Sequence, residues 1–173
     1  AGKITEEAKQ ITLLTKAFCK VTREVEGVEA YLYGEGPSRE AVLKIISEEG
    51  KGLPVYYKGF VPSMYIQQAL LDKQVIVLLS DYEGLPIILL EAMACGLVPV
   101  CLNISSGIPE LVVPDETGML VNDREDEFVG AIRKLKQSQE LWEKLSKQAV
   151  NLVSQRHAMP VVTNRWLALC RSM

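Results

Sequence analysis

The chain has 173 residues, enough for one domain with a substantial core, and is 48% hydrophobic and 24% charged; that balance excludes an intrinsically disordered segment and fits a globular domain. Acidic residues outnumber basic ones by 22 to 19, for a net charge of -3 and a sequence pI near 5.3. Such a balance gives no nucleic-acid footprint, so any anion must be held locally by amide dipoles or a few placed cations. No apolar run approaches the roughly 20 residues a membrane-spanning helix needs, and no secretory leader is visible.

The first helix is expected over 5–25, with Thr5 as its cap and Ile11, Leu14, Ala17, Phe18 and Val21 on one face. A strand follows at 28–33 and runs into Gly34-Glu35-Gly36-Pro37, a tight strand-to-helix turn. Residues 38–49 read as a helix stopped by Gly50, 54–58 as a short strand ending at Gly59, and 62–71 as a helix.

Residues 75–80 form a continuous apolar run, the pattern of a central parallel strand covered on both faces. A loop with Glu83 leads into a helix over 86–95, with Pro86 in its first turn and Gly96 past its end. A buried strand at 98–102, a short helix at 107–112 and a strand at 118–121 come next. From about 125 the chain is helical and amphipathic, broken near Met159-Pro160. The whole of 1–173 reads as one domain. Its alternation predicts an α/β fold: a Rossmann-like, doubly wound parallel sheet with helices on both faces. Ligands of such sheets sit at the carboxyl ends of the strands, where both the Glu83 loop and the Gly34–Pro37 turn belong.

Four cysteines (19, 95, 101 and 170) form no C-x-x-C pair, and His157 is the one histidine. They read as buried thiols of a reducing compartment, which places the protein in the cytoplasm, and no metal site is expected. His157 lies in the helical tail and is read as a packed or surface residue, not a general base.

The most informative stretch is 80–96. Glu91 stands in an otherwise apolar helix, and Glu83 lies eight residues earlier beside Gly84. A carboxylate withdrawn from water needs a hydrogen-bonding partner or a ligand. On an unbroken helix the two would stand about 12 Å apart, too far to share a proton or metal but suited to two polar contacts along an extended ligand. A carboxylate accepting from a vicinal diol forms two charge-assisted hydrogen bonds. Gly84 and Leu85 precede a helix start, where unsatisfied amides and a partial positive charge favour phosphate. The structural alternative is a helix-capping Glu and a salt-bridged one.

Glu83 and Glu91, with Ala92-Met93-Ala94-Cys95-Gly96, resemble the E-x7-E signature of the large group 1 family of retaining, nucleotide-sugar-dependent glycosyltransferases. Further segments are similar in order: Tyr33-Gly34-Glu35-Gly36-Pro37, Lys58-Gly59-Phe60-Val61, Ser106-Gly107-Ile108-Pro109-Glu110 and Glu116-Thr117-Gly118-Met119-Leu120-Val121. The resemblance implies the C-terminal, donor-binding half of a GT-B architecture. By it, Glu91 binds the ribose, Glu83 faces the transferred sugar, the amides at Gly84 and Leu85 touch the diphosphate, and the Val61 backbone lies near the base. Lys3 and Lys9 stand where the family places a diphosphate-binding Arg and Lys; Lys for Arg replaces a planar fork with a point charge.

The resemblance implies a UDP- or GDP-sugar as donor substrate and no tightly bound cofactor; with no metal cage visible in the sequence, donor binding is expected to be metal-independent. It implies an N-terminal domain, not present in this chain, that carries the acceptor site and any peripheral membrane association. The isolated domain is then expected to be inactive. The family's first and central strand, which should precede Gly2, is expected to be missing, lost by trimming or supplied by a partner chain. A catalytically inactive nucleotide-sugar-binding or regulatory module of the same fold is the alternative; retention of both Glu83 and Glu91 argues against it.

Overall fold

A computed structural model describes residues 2–3, 5–7 and 9–172, with the side chains of Lys3 and Ser172 outside the described set. The order is β1 (Gly2–Lys3), α1 (Ile11–Glu24), β2 (Ala30–Glu35), α2 (Arg39–Glu48), β3 (Val55–Gly59), α3 (Ser63–Leu70) and β4 (Val75–Leu78). The second half continues with α4 (Ile87–Ala94), β5 (Val98–Leu102), α5 (Ile108–Leu111), β6 (Met119–Val121), α6 (Asp126–Gln137), α7 (Gln139–Arg156) and α8 (Met159–Ser172).

All strand pairs are parallel, as alternation with helices requires. They form two three-stranded sheets, β1-β2-β3 and β4-β5-β6, rather than one. Gly2 and Lys3 form a two-residue strand, β1, which pairs Gly2 with Gly34 and Lys3 with Glu35; among the described residues no strand fills the place ahead of it, beside Ala30–Tyr33. β1 covers only the last two residues of β2. Beyond it a cleft of about 880 Å³ opens, lined by Ala30 and Leu32 of β2, by 75–78 of β4, and by Phe18 and Phe128 from the helices.

That cleft explains a departure from the sequence reading. Val75, Ile76 and Val77 were expected to be covered on both faces but are only half-buried, because one edge of β4 has no neighbour among the described residues. β5, flanked on both sides, is buried throughout. Its residues alternate between two cores. Val98, Val100 and Leu102 pack with α1 and α6 residues such as Phe18 and Phe128. Cys101 packs with Leu89 and Met93 of α4 and Ala149 of α7. Helices therefore cover both faces of this sheet.

Local ends differ where side chains compete for the backbone. α1 begins at Ile11, not near Thr5, because Gln10 takes a left-handed conformation (φ 46°). The Glu6 carboxylate then accepts from the Thr12 amide at 3.1 Å and its hydroxyl at 2.8 Å. Gly34 and Glu35 continue β2 instead of turning. The helical tail breaks near Met159 as expected and also at Ser138, whose hydroxyl accepts from the Leu141 amide and caps α7. Cys19 and Cys101 are buried, whereas Cys95 is half-buried and Cys170 exposed, so the expectation of four buried thiols fails at those two.

Candidate functional site

In a parallel sheet the loops leaving each strand gather along one edge. Here that edge brings together Lys9 after β1, Glu83 after β4, Gly107 after β5 and Arg124 after β6. Their contacts define the site.

Lys9 Nζ donates to Glu83 Oε1, joining residues 74 positions apart. The Glu83 side chain is 10% exposed and that of Lys9 31%, so the carboxylate is largely withdrawn from water and its charge is matched locally. The Glu83 charge, second to burial itself, helps raise the Cys101 thiol well above its ordinary value. Lys3 lies in β1 with its backbone opposite Glu35; its role in the site falls on a side chain outside the described residues.

Glu83 is in the loop, not on the helix, because α4 starts four residues later at Ile87. No side chain caps the α4 N-terminus, which leaves its first turn open to an external acceptor. Gly84 and Leu85 are exposed directly before it, and a Cβ on Gly84 would meet nothing within 4 Å. The other side of the loop is tightly approached. Gly107 N–H donates to the Gly84 carbonyl at 3.1 Å, and a Cβ on Gly107 would stand 2.7 Å from that oxygen. Ser106 orders this turn: its hydroxyl accepts from the Ile108 amide at 3.1 Å.

Glu91 departs from the sequence reading. A carboxylate within an apolar run in sequence, it is nevertheless exposed, on the same open face of α4 as Ile87 and Ala94. The apolar residues around it are buried because they occupy the other faces, Leu89, Ala92 and Met93 among them. Val61 lies on the α4 flank, packed in the cluster that includes Ile88 and Cys95. The Glu91 charge contributes, after burial, to raising the Cys95 thiol. The structure thus brings Lys9, Glu83, Gly84 and Leu85 to one edge and sets Glu91 and Val61 along the adjoining helix.

Arg124 is the residue the sequence reading missed. Its guanidinium donates from Nε to the Leu79 carbonyl at 3.0 Å and from Nη2 to Asp81 Oδ1. A signal existed in Asp123-Arg124-Glu125-Asp126: a cation just before a helix start opposes the helix dipole and needs another reason to be there. Among the described residues no group of three or more His, Cys, Asp or Glu could hold a metal ion, and no helix is long and apolar enough to cross a membrane.

An ion-paired carboxylate, an open helix N-terminus and a close-approach glycine meet at the carboxyl edge of parallel sheets, the edge where α/β domains of this class bind their ligands. The family model for glycosyl transferases group 1 matches residues 1–152. The chain belongs to that family, as a C-terminal domain of the GT-B fold.

The alpha-D-kanosaminyltransferase of Streptomyces kanamyceticus is 25% identical over 173 residues, covering 99% of this chain and 44% of that protein. A GDP-mannose-dependent alpha-(1-6)-phosphatidylinositol monomannoside mannosyltransferase of Mycobacterium tuberculosis is 34% identical over 142 residues, covering 78% of this chain and 36% of that protein. The chain spans less than half the length of these curated relatives. Among solved structures, Anabaena HepE in complex with UDP and glucose superposes with a TM-score of 0.83 at 20% identity, covering 99% of this chain and 48% of that one. The C-terminal domain of a group 1 glycosyl transferase from Francisella tularensis superposes with a TM-score of 0.75 at 22% identity, covering 92% and 84%.

Proposed function

We propose that this chain is the donor-binding half of a retaining glycosyltransferase that moves a sugar from a UDP- or GDP-sugar to a glycan, lipid or other acceptor. The observation that carries the reading is the Lys9–Glu83 pair at the sheet edge beside the open start of α4. In this reading Lys9 and Lys3 neutralise the diphosphate together with the amides at Gly84 and Leu85. Glu83 faces the transferred sugar. Glu91, exposed on α4, accepts from the ribose hydroxyls, and the Val61 backbone lies beside the base. The exposure of Glu91 supports this assignment, since a carboxylate awaiting a ligand diol must be reachable from solvent.

Rate enhancement then rests on placement and electrostatics. Fixed cations and amides stabilise the departing diphosphate, and a second domain presents the acceptor. A chain without that domain binds nucleotide weakly and transfers nothing. UDP complexes of proteins with the same fold favour a uridine donor, whereas the GDP-mannose-dependent relative favours a guanosine one.

The test is calorimetric titration of the chain with UDP, GDP and ADP, before and after Glu91→Ala. Saturable binding of one nucleotide, weakened about 10-fold or more by the loss of a charge-assisted contact, is expected. No saturable binding, or binding indifferent to Glu91→Ala, overturns the site. Turnover by the chain alone overturns the claim that a second domain is required.

A further inference from the structure

The loop that carries Glu83 is held from outside by a residue the donor site does not use. Arg124, between β6 and α6, bonds the Leu79 carbonyl at 3.0 Å and the Asp81 carboxylate, two acceptors that bracket Ser80. Ser80 is 2% exposed and the Arg124 side chain 18% exposed, whereas that of Asp81 is 47% exposed, so the bond to Leu79 is the sheltered half of the clamp and the ion pair its surface half.

The turn that presents Arg124 is itself fixed. Asp123 Oδ1 accepts from the amides of Glu125 at 2.8 Å and Glu127 at 3.1 Å. Glu127 Oε2 accepts in return from the Asn122 amide at 2.7 Å and from its Nδ2 at 2.9 Å. These reciprocal bonds anchor the backbone on both sides of Arg124 to the start of α6. A planar guanidinium can bond two acceptors at once in a fixed geometry, which a lysine ammonium cannot reproduce. Two residues beyond Asp81 lies Glu83, and one further lies Gly84, pinned from the opposite side by Gly107.

We propose that Arg124 is a positioning residue: by clamping Leu79 and Asp81 it sets the path of residues 79–83 and so fixes where the Glu83 carboxylate meets the donor's sugar. This inference rests on the donor-site reading above. It predicts a split effect, in which the nucleotide contacts on Lys9 and α4 survive and the contact made by Glu83 does not.

The experiment uses the full-length protein, titrated with UDP and GDP and then with UDP-glucose, UDP-N-acetylglucosamine and GDP-mannose. In Arg124→Ala the free nucleotide should bind within about twofold of wild type, while the best sugar nucleotide weakens about 10-fold, the size of a lost charge-assisted contact. Arg124→Lys, which keeps the charge but not the fork, should fall between the two. In a Glu83→Gln background, Arg124→Ala should have no further effect on sugar-nucleotide binding, because its action passes through Glu83. Hydrogen exchange at 81–84 should accelerate at least about 10-fold in Arg124→Ala, with α4 and α6 unchanged.

Unchanged exchange at 81–84, equal weakening of nucleotide and sugar nucleotide, or an effect that adds to Glu83→Gln overturns the proposal. If Arg124→Ala does not fold, Asp81→Asn removes the charged half of the clamp and is read in the same way. Absence of nucleotide binding by the wild-type protein removes the donor-site reading, and this inference with it.

Discussion

Lys9 and Glu83 meet across the carboxyl edge of the domain, an ammonium from the β1–α1 loop donating to a carboxylate from the β4–α4 loop. The two loops leave different three-stranded sheets, which are not paired with one another among the described residues. The pair therefore ties the halves of the domain together at the place where the ligand is proposed to bind. In the proposed donor site a diphosphate entering beside α4 would compete with Glu83 for Lys9, so that one cation would serve the empty and the occupied site.

Replacing Lys9 by Met should separate these roles. Loss of one charge-assisted contact is expected to weaken nucleoside diphosphate binding about 10-fold and to flatten its dependence on salt. The nucleoside monophosphate, which lacks the outer phosphate, should be affected less. Isothermal titration at two ionic strengths checks both statements, and equal losses for the two nucleotides would count against a diphosphate contact.

Gly84 and Gly107 face each other through one hydrogen bond, yet substitution at each should act differently. A Cβ on Gly107 collides with backbone, 2.7 Å from the Gly84 oxygen and 3.1 Å from the Leu85 Cα. Gly107→Ala is therefore expected to cost about 1–3 kcal/mol of stability by overpacking. A Cβ on Gly84 meets nothing within 4 Å, so Gly84→Ala should leave the melting temperature unchanged. It should still weaken nucleotide binding by crowding the space before α4. Thermal melts with parallel titrations distinguish the two; a destabilised Gly84→Ala would contradict the open space seen here.

The buried thiol of Cys101 gives an alkaline limit to stability. Burial, helped by the Glu83 charge, holds its pKa well above the ordinary value. The unfolded chain releases this proton near pH 8.5 while the folded chain keeps it, so the unfolded state binds fewer protons and stability falls as pH rises. The contribution is fully present below about pH 8.5 and declines above it, by up to about 1.4 kcal/mol per pH unit. Denaturant unfolding at pH 7–10 should show this slope reduced in Cys101→Ala. Iodoacetamide should modify exposed Cys170 while sparing Cys101 in the native state.

Most of this architecture could be read from periodicity, because β5 and the helix stripes are set by burial on defined faces. What periodicity does not encode are contacts distant in sequence or specific to side chains. Glu91 looked withdrawn because its neighbours in sequence are apolar, but a helix separates consecutive residues by about 100°, and Glu91 shares its face with exposed Ile87 and Ala94. The start of α1 depends on Glu6 reaching Thr12, a competition that pattern alone does not resolve. Arg124 bonds a loop 43 positions away, and only the parallel placement of β4 and β6 on either side of β5 brings them together. Glu83 stands out in the sequence as a carboxylate beside Gly84, and Lys9 only through the family resemblance; the structure adds that the two side chains touch.

The cleft between the half-sheets gives the last prediction. β1 pairs Gly2 with Gly34 and Lys3 with Glu35, leaving the β1 side of Ala30–Tyr33 without a strand partner among the described residues. A strand edge lined by Leu32, Phe18 and Phe128 is apolar and open to a cleft of about 880 Å³. Residues added ahead of Ala1 would continue the parallel register of β1 along Leu32, Tyr31 and Ala30. About five apolar, β-branched residues span about 16 Å, the length of a short strand. Each aliphatic side chain so buried should stabilise the domain by about 1.5–3 kcal/mol before the entropy of ordering it is subtracted. The expected result is a melting temperature several degrees higher for a chain extended by such a segment, with slowed exchange at the amides of 30–33 and 75–78. An extension of the same length in Gly and Ser should give neither effect. Equal stabilisation by both extensions would show that the cleft does not accept a strand.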